Sequence, residues 1–476
     1  MAFARAAAWS ASGELLARLV PPAVLAYLVL ILPVEDFGVV AAVSGIVGFC
    51  QVFWDAGLMK ALVQTRRDEA SAASVVFWSN LALGALLYFI IFGASGWIAG
   101  VFSDPRIALT LRVLGLQVVL LSAASAYTGL LQRRMAFRDL FFARIGQALV
   151  SGIASILAVR IGLGLWALVA GILTGSVTYL AIVVLRSDWR PTREFDRSIV
   201  IELVRFSRWT VLTGFLGWFF VFADSLIVGA FLGVRDLGLY NVSSQLASLS
   251  FGLMLAPLLP VLYSTLVRRA ADASWVRASM LVFSQAIAYW VVPIAAIAFV
   301  QSGAVSALLF DEQWEGIEEI LTATVLAAAV SWFAVANGEA YRALGRPEIE
   351  SRVMLLCVPI YIVGYLIAVQ QGVAVFAWVR VALAIVGFCI HVMFAHRILR
   401  ISWWRSLAML SRPLTAGLAV VVFGLFFLRP DGEPSADPTR LVATSVLLFL
   451  VYFVAAFALD RRFLMQEIVE RIRGMR

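Results

Sequence analysis

Residues 35–67, EDFGVVAAVSGIVGFCQVFWDAGLMKALVQTRR, decide how the rest of the chain is read. Gly38 to Val63 is an apolar run long enough to cross a bilayer, which takes about 20 residues of helix. Glu35 and Asp36 stand before it, and Arg66 and Arg67 follow it. Asp55 and Lys60 lie inside it, and a charge at bilayer depth is costly unless it meets other helices or water. The opening of this stretch recurs at an offset of 200 residues: 232–240, LGVRDLGLY, aligns without gaps on 32–40, LPVEDFGVV. Upstream, Trp209 falls on Trp9, Leu216 on Leu16 and Ala223 on Ala23, giving seven identities in 32 over 9–40 and 209–240. The shared Asp-x-Gly between two apolar runs points to a duplicated half.

The composition agrees with a chain built from such runs. Of 476 residues 62% are hydrophobic and 14% charged, more apolar surface than a water-soluble chain of this size hides. Cys50, Cys357 and Cys389 all fall in apolar runs, where they read as small packing residues and form no disulfide framework or metal set. Two histidines, His391 and His396, are too few for a metal or haem centre, and no cofactor is expected. No cleavable signal peptide is expected, since the run 19–32 lacks a strongly basic leader and a small-residue cleavage site.

Hydropathy predicts fourteen spans, near 15–34, 38–63, 73–100, 107–131, 140–161, 164–185, 209–232, 237–266, 275–300, 319–341, 353–370, 372–396, 413–428 and 441–459. The expected fold is therefore an all-α polytopic membrane protein. Arginine clusters occur at alternate boundaries, so that 28 of the 37 basic residues gather on one side and seven on the other, with Arg18 and Lys60 inside spans. Positive charge is retained in the cytoplasm, which places the clusters and both termini inside. The net charge of +8 is then a topology signal, and no nucleic-acid partner is implied. Six spans return the chain to the side it started from. The expected organisation is a first six-helix lobe over 1–190, a cytoplasmic interfacial linker over 191–208 and a second lobe over 209–400. Helices 13–14 over 401–460 and a basic cytoplasmic tail over 461–476 complete it. Parallel repeats of this kind are related by an axis along the membrane normal, with the working cavity between them. The linker and tail are amphipathic and read as helices on the membrane surface. The largest external loop, about 301–318, is acidic and too small for a catalytic domain.

Charges at depth are the candidate site. Lys60, near the cytoplasmic end of its span, either snorkels to the surface or enters the cavity; Asp55 is deeper. Asp224 either bonds a neighbouring helix or holds a coupling ion. Arg18 is four residues from Glu14 and either pairs with it or meets anionic substrate. Arg112 and Arg380 lie one and a half to two turns inside outer helix ends; either both snorkel outward or both line a cationic pocket. An arginine fork suits phosphate because it donates two parallel hydrogen bonds. Glu339 and Arg342 read as a structural pair. Asn80, Gln117, Gln147, Asn241, Gln245 and Asn337 either line a sugar path or bond between helices. The sequence has no Gly-rich phosphate loop with Lys, no serine nucleophile elbow and no His-rich set, so an enzyme is not expected.

The run EDFGVVAAVSGIVGFCQVFWDAGLMKALVQ resembles the opening of the polysaccharide transporter family. These are lipid-linked oligosaccharide flippases of the multidrug/oligosaccharidyl-lipid/polysaccharide (MOP) superfamily. FADSLIVGAFLGVRDLGLYNVSSQLASL resembles the start of the family's second half, and YRALGRPEIESR, 341–352, its loop after span 10. The resemblance implies two six-helix lobes closing alternately on a central cavity, with helices 13 and 14 outside. It implies a polyprenyl-pyrophosphate-linked glycan as substrate, carried across the bacterial cytoplasmic membrane. A polysaccharide polymerase or export machinery would be the partner. Asp55 and Asp224 fall in matching family segments; Arg18, Lys60, Arg112 and Arg380 rest on the electrostatic argument. Two rivals stay open. One is a multidrug/cation antiporter of the same superfamily, a branch that usually stops at twelve helices. The other is a membrane glycosyltransferase or polymerase, with Asp311, Glu312, Glu315, Glu318 and Glu319 as its carboxylates.

Overall fold

A computed structural model describes residues 19–53, 58–64, 68–192, 197–255, 258–270, 272–346, 348–428 and 437–462. Their regular structure is entirely helical. In order the helices are α1 (Leu19–Val29), α2 (Val34–Phe53), α3 (Lys60–Gln64), α4 (Glu69–Val101), α5 (Arg106–Leu114) and α6 (Leu116–Arg133). α7 (Phe137–Arg160), α8 (Leu165–Arg186), α9 (Arg197–Leu232), α10 (Val234–Leu255), α11 (Leu258–Arg268) and α12 (Ala273–Leu309) follow. α13 (Ile317–Ala343), α14 (Glu348–Ala368), α15 (Val373–Leu399), α16 (Trp403–Phe423) and α17 (Pro438–Arg462) complete the chain. It is a multi-pass membrane protein: among the described residues twelve helical segments are long and apolar enough to cross a bilayer. α5 and α6 together make one of them, the expected fourth span.

Fourteen spans were expected, and the two outside this twelve are the first and the eighth. The first is described only from Leu19, as the short apolar α1. The eighth is divided into α10 and α11, and α10 falls below the apolar threshold because Asn241, Ser243, Ser244, Gln245, Ser248 and Ser250 lie in it. Two helices also run on beyond their expected spans. α12 runs on to Leu309, and Trp314, 1% exposed, anchors the short turn before α13. α9 runs from Arg197 straight into the seventh span, because neither glycine nor proline interrupts Ser198–Thr213.

By contact the chain divides into two compact units, residues 1–242 and 243–476, with the boundary inside α10. In the first unit α2 packs on α9 and α5, α4 on α6, and α7 along α8. α2 comes close to α9 because Gly45 and Gly48 face Leu226 and Phe222, where a Cβ would stand 2.9 Å from each side chain. Small residues let membrane helices approach in this way. The Trp218 Nε1–H then donates to the Gly45 carbonyl at 2.9 Å. At the arginine-rich end the segment after α8 folds back on α4. Trp189, 7% exposed, packs edge-on against Phe77 and Tyr127. The Thr192 amide donates to Ser74 Oγ at 3.2 Å, and Trp78 Nε1 donates to the Thr192 carbonyl at 2.8 Å. The start of the expected interfacial linker is thus lashed to its own unit.

In the second unit α12, α13, α15 and α16 surround one apolar core that includes Phe251, Tyr341, Val392 and Val420. α16 and α17 dock on α12, and a buried polar group fixes them. Asp460, at the end of α17, accepts from Gln285 Nε2 at 2.7 Å and Tyr289 Oη at 2.8 Å on α12, and from Arg412 Nη1 on α16.

Left-handed residues close several of the helices. After α6 stands Met135 at φ +57°, and after α13 Gly345 at φ +70°. Both ends close by the same bonds: Ala136 N–H to Leu131 O and Arg346 N–H to Tyr341 O, each spanning five residues. This left-handed closure satisfies last-turn carbonyls that otherwise lack partners. Glycine takes it without strain at 345, and Met135 takes it at a steric cost.

Candidate functional site

The polar residues that keep α10 below the apolar threshold are not scattered. Asn241, Ser244, Gln245 and Ser248 follow at intervals of three and four, and so share one face of the helix. Gln245 and Ser248 are exposed, and Asn241 and Ser244 half-buried. Ser248 Oγ donates to the Ser244 carbonyl at 2.8 Å, leaving its oxygen able to accept. Arg380 of α15 reaches this face, its Nη1 donating to Ser244 Oγ at 3.0 Å. Beside it, Tyr361 of α14 donates to the Leu383 carbonyl at 2.8 Å and fixes α14 on α15. A polar stripe with a guanidinium fastened to it is costly against lipid and suits a wet path for a polar, anionic cargo.

The other expected site residues lie elsewhere. Asp224 of α9 is 3% exposed. It accepts from Tyr240 Oη and from the Ser225 amide, each at 2.7 Å. It therefore joins α9 to α10 within the first unit. Lys60 is exposed at the start of α3. Arg112 lies on the exposed side of α5; its Nε–H donates to Ser95 Oγ at 2.8 Å and its guanidinium stands 5.1 Å from the Phe92 ring centre. Arg18 and Asp55 lie outside the described residues. Glu339 and Arg342 do pair, at 2.9 Å, and Arg342 also reaches Glu350 at 3.3 Å, tying α13 to α14. Asn80 donates to Ser125 Oγ at 2.8 Å and Gln117 to Ser176 Oγ at 3.1 Å, so both bond between helices.

A second arrangement, at the end away from the arginine clusters, is one that reading residues singly misses. α2 and α10 cross at their first turns. A Cβ on Gly38 would stand 1.8 Å from the Val234 carbonyl oxygen, and one on Gly238 would stand 2.2 Å from that of Val34. These are the two glycines, and the two valines, that the offset of 200 aligns. Charges ring the crossing. Glu35 and Arg235, also aligned, approach to 4.0 Å. Arg106 bridges Asp36 at 3.0 Å and Asp104 at 2.7 Å. Burial opposes ionisation of Asp104, but the Arg106 side-chain and amide hydrogen bonds outweigh it and hold the carboxyl below its usual range. The opposite signs at aligned positions 35 and 235 were the available signal. Asp460 was missed for another reason: beside Arg461 and Arg462 it reads as a solvated helix end.

Comparison with known proteins adds to this geometry. The succinoglycan biosynthesis transport protein ExoT of Rhizobium meliloti (strain 1021) is 24% identical over 472 residues, covering 93% of this chain and 90% of that protein. The teichuronic acid biosynthesis protein TuaB of Bacillus subtilis (strain 168) is 24% identical over 424 residues, 86% of each. The solved structure of the lipid II flippase MurJ in an inward closed conformation matches with a TM-score of 0.77 at 13% identity, covering 97% of this chain and 99% of that one. An inward-facing multidrug resistance MATE family transporter of the MOP superfamily matches with a TM-score of 0.65 at 14% identity, covering 81% and 96%. These structural likenesses establish the fold. A family model described as polysaccharide biosynthesis protein matches residues 27–319, more than half of the sequence. The chain therefore belongs to the polysaccharide biosynthesis protein family.

Proposed function

We propose that this protein is a flippase. It carries a polyprenyl-pyrophosphate-linked oligosaccharide from the cytoplasmic leaflet of a bacterial inner membrane to the outer leaflet by alternating access, for surface or exopolysaccharide export. Both termini stay in the cytoplasm, and a polysaccharide polymerase or export machinery takes the product. No bond in the substrate is made or broken. The observation that carries the reading is the polar face of α10 with Arg380 bonded to it. Hydroxyl and amide groups at helical spacing suit a sugar, and the arginine suits its phosphate. Family membership and relatives named for polysaccharide biosynthesis and transport support the same substrate class. Arg18, Asp55 and Lys60 remain candidates for further contacts with the cargo, and Asp224 or Asp55 for coupling to an ion gradient.

The test is in cells whose glycan export depends on this chain. Deletion should leave lipid-linked oligosaccharide in the cytoplasmic leaflet, and the wild-type chain should release it. The reading fails if deletion leaves export intact with no second flippase to account for it.

A further inference from the structure

The exposed sides of α4 and α5 are apolar, as a surface against lipid must be. Leu86 and Phe89 of α4 and Leu109 of α5 are 57%, 69% and 53% exposed. Arg112 interrupts this surface. Among the described residues no carboxylate pairs with it, and its two Nη groups bond nothing. Yet its orientation is fixed. Ser95 Oγ donates to the Phe92 carbonyl at 2.8 Å and accepts the Arg112 Nε–H at 2.8 Å, while the Phe92 ring lies under the guanidinium. Tyr88 Oη donates to the Arg112 carbonyl at 3.2 Å and holds this part of α5 on α4. The free edge of the fork, with both Nη groups, is left to face outward.

Depth identifies what it faces. α4 has 33 residues, about 50 Å of helix, against a hydrocarbon thickness of about 30 Å. Shared between the two ends, the excess puts the hydrocarbon boundary about 10 Å inside each. Ser95 is six residues from the end of α4 and Arg112 six from the start of α5, about 9 Å in each case. The guanidinium therefore stands where lipid phosphates begin, on the side away from the arginine clusters.

We propose that Arg112 is a phosphate site for a glycerophospholipid of that leaflet. The two Nη groups donate to the phosphodiester oxygens, and the acyl chains lie along the exposed apolar sides of α4 and α5. The inference needs the membrane spans and is independent of what the protein transports.

Native mass spectrometry of the delipidated full chain, titrated with phosphatidylglycerol, tests it, with diacylglycerol and polyprenyl phosphate as the other two probes. For Arg112→Gln the tightest phosphatidylglycerol affinity should fall about tenfold or more, as expected for losing charge-assisted bonds, while diacylglycerol binding stays unchanged. Arg112→Lys should fall between the two, lacking the planar fork. Ser95→Ala keeps the charge and releases the orientation; it should also weaken binding, and it stands in for Arg112→Gln if that variant does not fold. Phosphatidylglycerol affinity unchanged in Arg112→Gln, or in Ser95→Ala standing in for it, would overturn the proposal. So would a loss confined to polyprenyl phosphate, or an equal loss for diacylglycerol.

Discussion

Replacing Gly38 by alanine tests the crossing of α2 and α10 directly. The new Cβ would stand 1.8 Å from the Val234 carbonyl oxygen, 2.7 Å from the Val234 carbonyl carbon and 3.1 Å from the Gly238 nitrogen. The obstacle is backbone, so no rotamer change relieves it. Reaching even the 3.0 Å limit for a real Cβ moves one helix about 1.2 Å from the other. Overpacking of this kind costs about 1–3 kcal/mol, and a backbone obstacle puts Gly38 at the upper end. Ala is also the better helix former, which offsets up to about 1 kcal/mol. A net loss of about 2 kcal/mol lowers the melting temperature by roughly 4–8 °C for a unit of some 240 residues. Gly93, with nothing within 4 Å of its ideal Cβ, is the control and should show no loss on the same change. The assay is thermal unfolding in detergent, followed by tryptophan fluorescence. If Gly38→Ala and Gly93→Ala melt together with wild type, α2 and α10 do not meet as described.

Asp460→Ala should loosen α16 and α17 from α12 and lower the melting temperature. It leaves Gln285 and Tyr289 without their acceptor, at about 1–3 kcal/mol each, whereas the half-exposed Arg412 recovers water. Asp460→Asn should lose less, and equal losses would contradict the network. Asp224→Asn keeps one oxygen for the Ser225 amide and can donate its NH2 to the Tyr240 hydroxyl oxygen, so the protein should stay folded while ion-coupled export falls; full export at normal expression rejects coupling through this carboxylate. The Asp104 carboxyl is held low by its bonds to Arg106, so its contribution is present above the usual Asp pKa of about 3.9 and is lost as pH falls through its lower folded value. Melting temperatures between pH 6 and pH 3 should therefore drop more steeply for wild type than for Asp104→Asn, and parallel curves would refute this.

What the sequence made legible follows from how local each signal is. Spans are read from composition alone, and most of the expected ones recur as helices. The repeat was legible because Asp36-Phe37-Gly38 and Asp236-Leu237-Gly238 keep their spacing; that the two glycines meet was not, because contact requires the fold. α10 reads as an ordinary span by length, and that Arg380, 136 residues from Ser244, bonds to its polar face was not legible because that contact requires the fold. Arg112 and Arg380 look alike in sequence, each an arginine inside an outer helix end. They differ in what each meets within its own unit, Ser95 and the Phe92 ring for Arg112 and Ser244 for Arg380, and those partners are set by the fold. Asp460 stands next to two arginines and reads as solvated until α12 supplies Gln285 and Tyr289.

The most direct test of the flippase reading is translocation by the purified protein in proteoliposomes. The substrate is a short-chain polyprenyl-pyrophosphate oligosaccharide carrying a fluorescent sugar, and access of an external quencher is followed over time. The account predicts that wild-type protein exposes the inner-leaflet pool within minutes, and that Arg380→Ala slows this about tenfold or more through loss of a charged hydrogen-bond donor. Quenching that stays at the protein-free level with folded wild-type protein would contradict it.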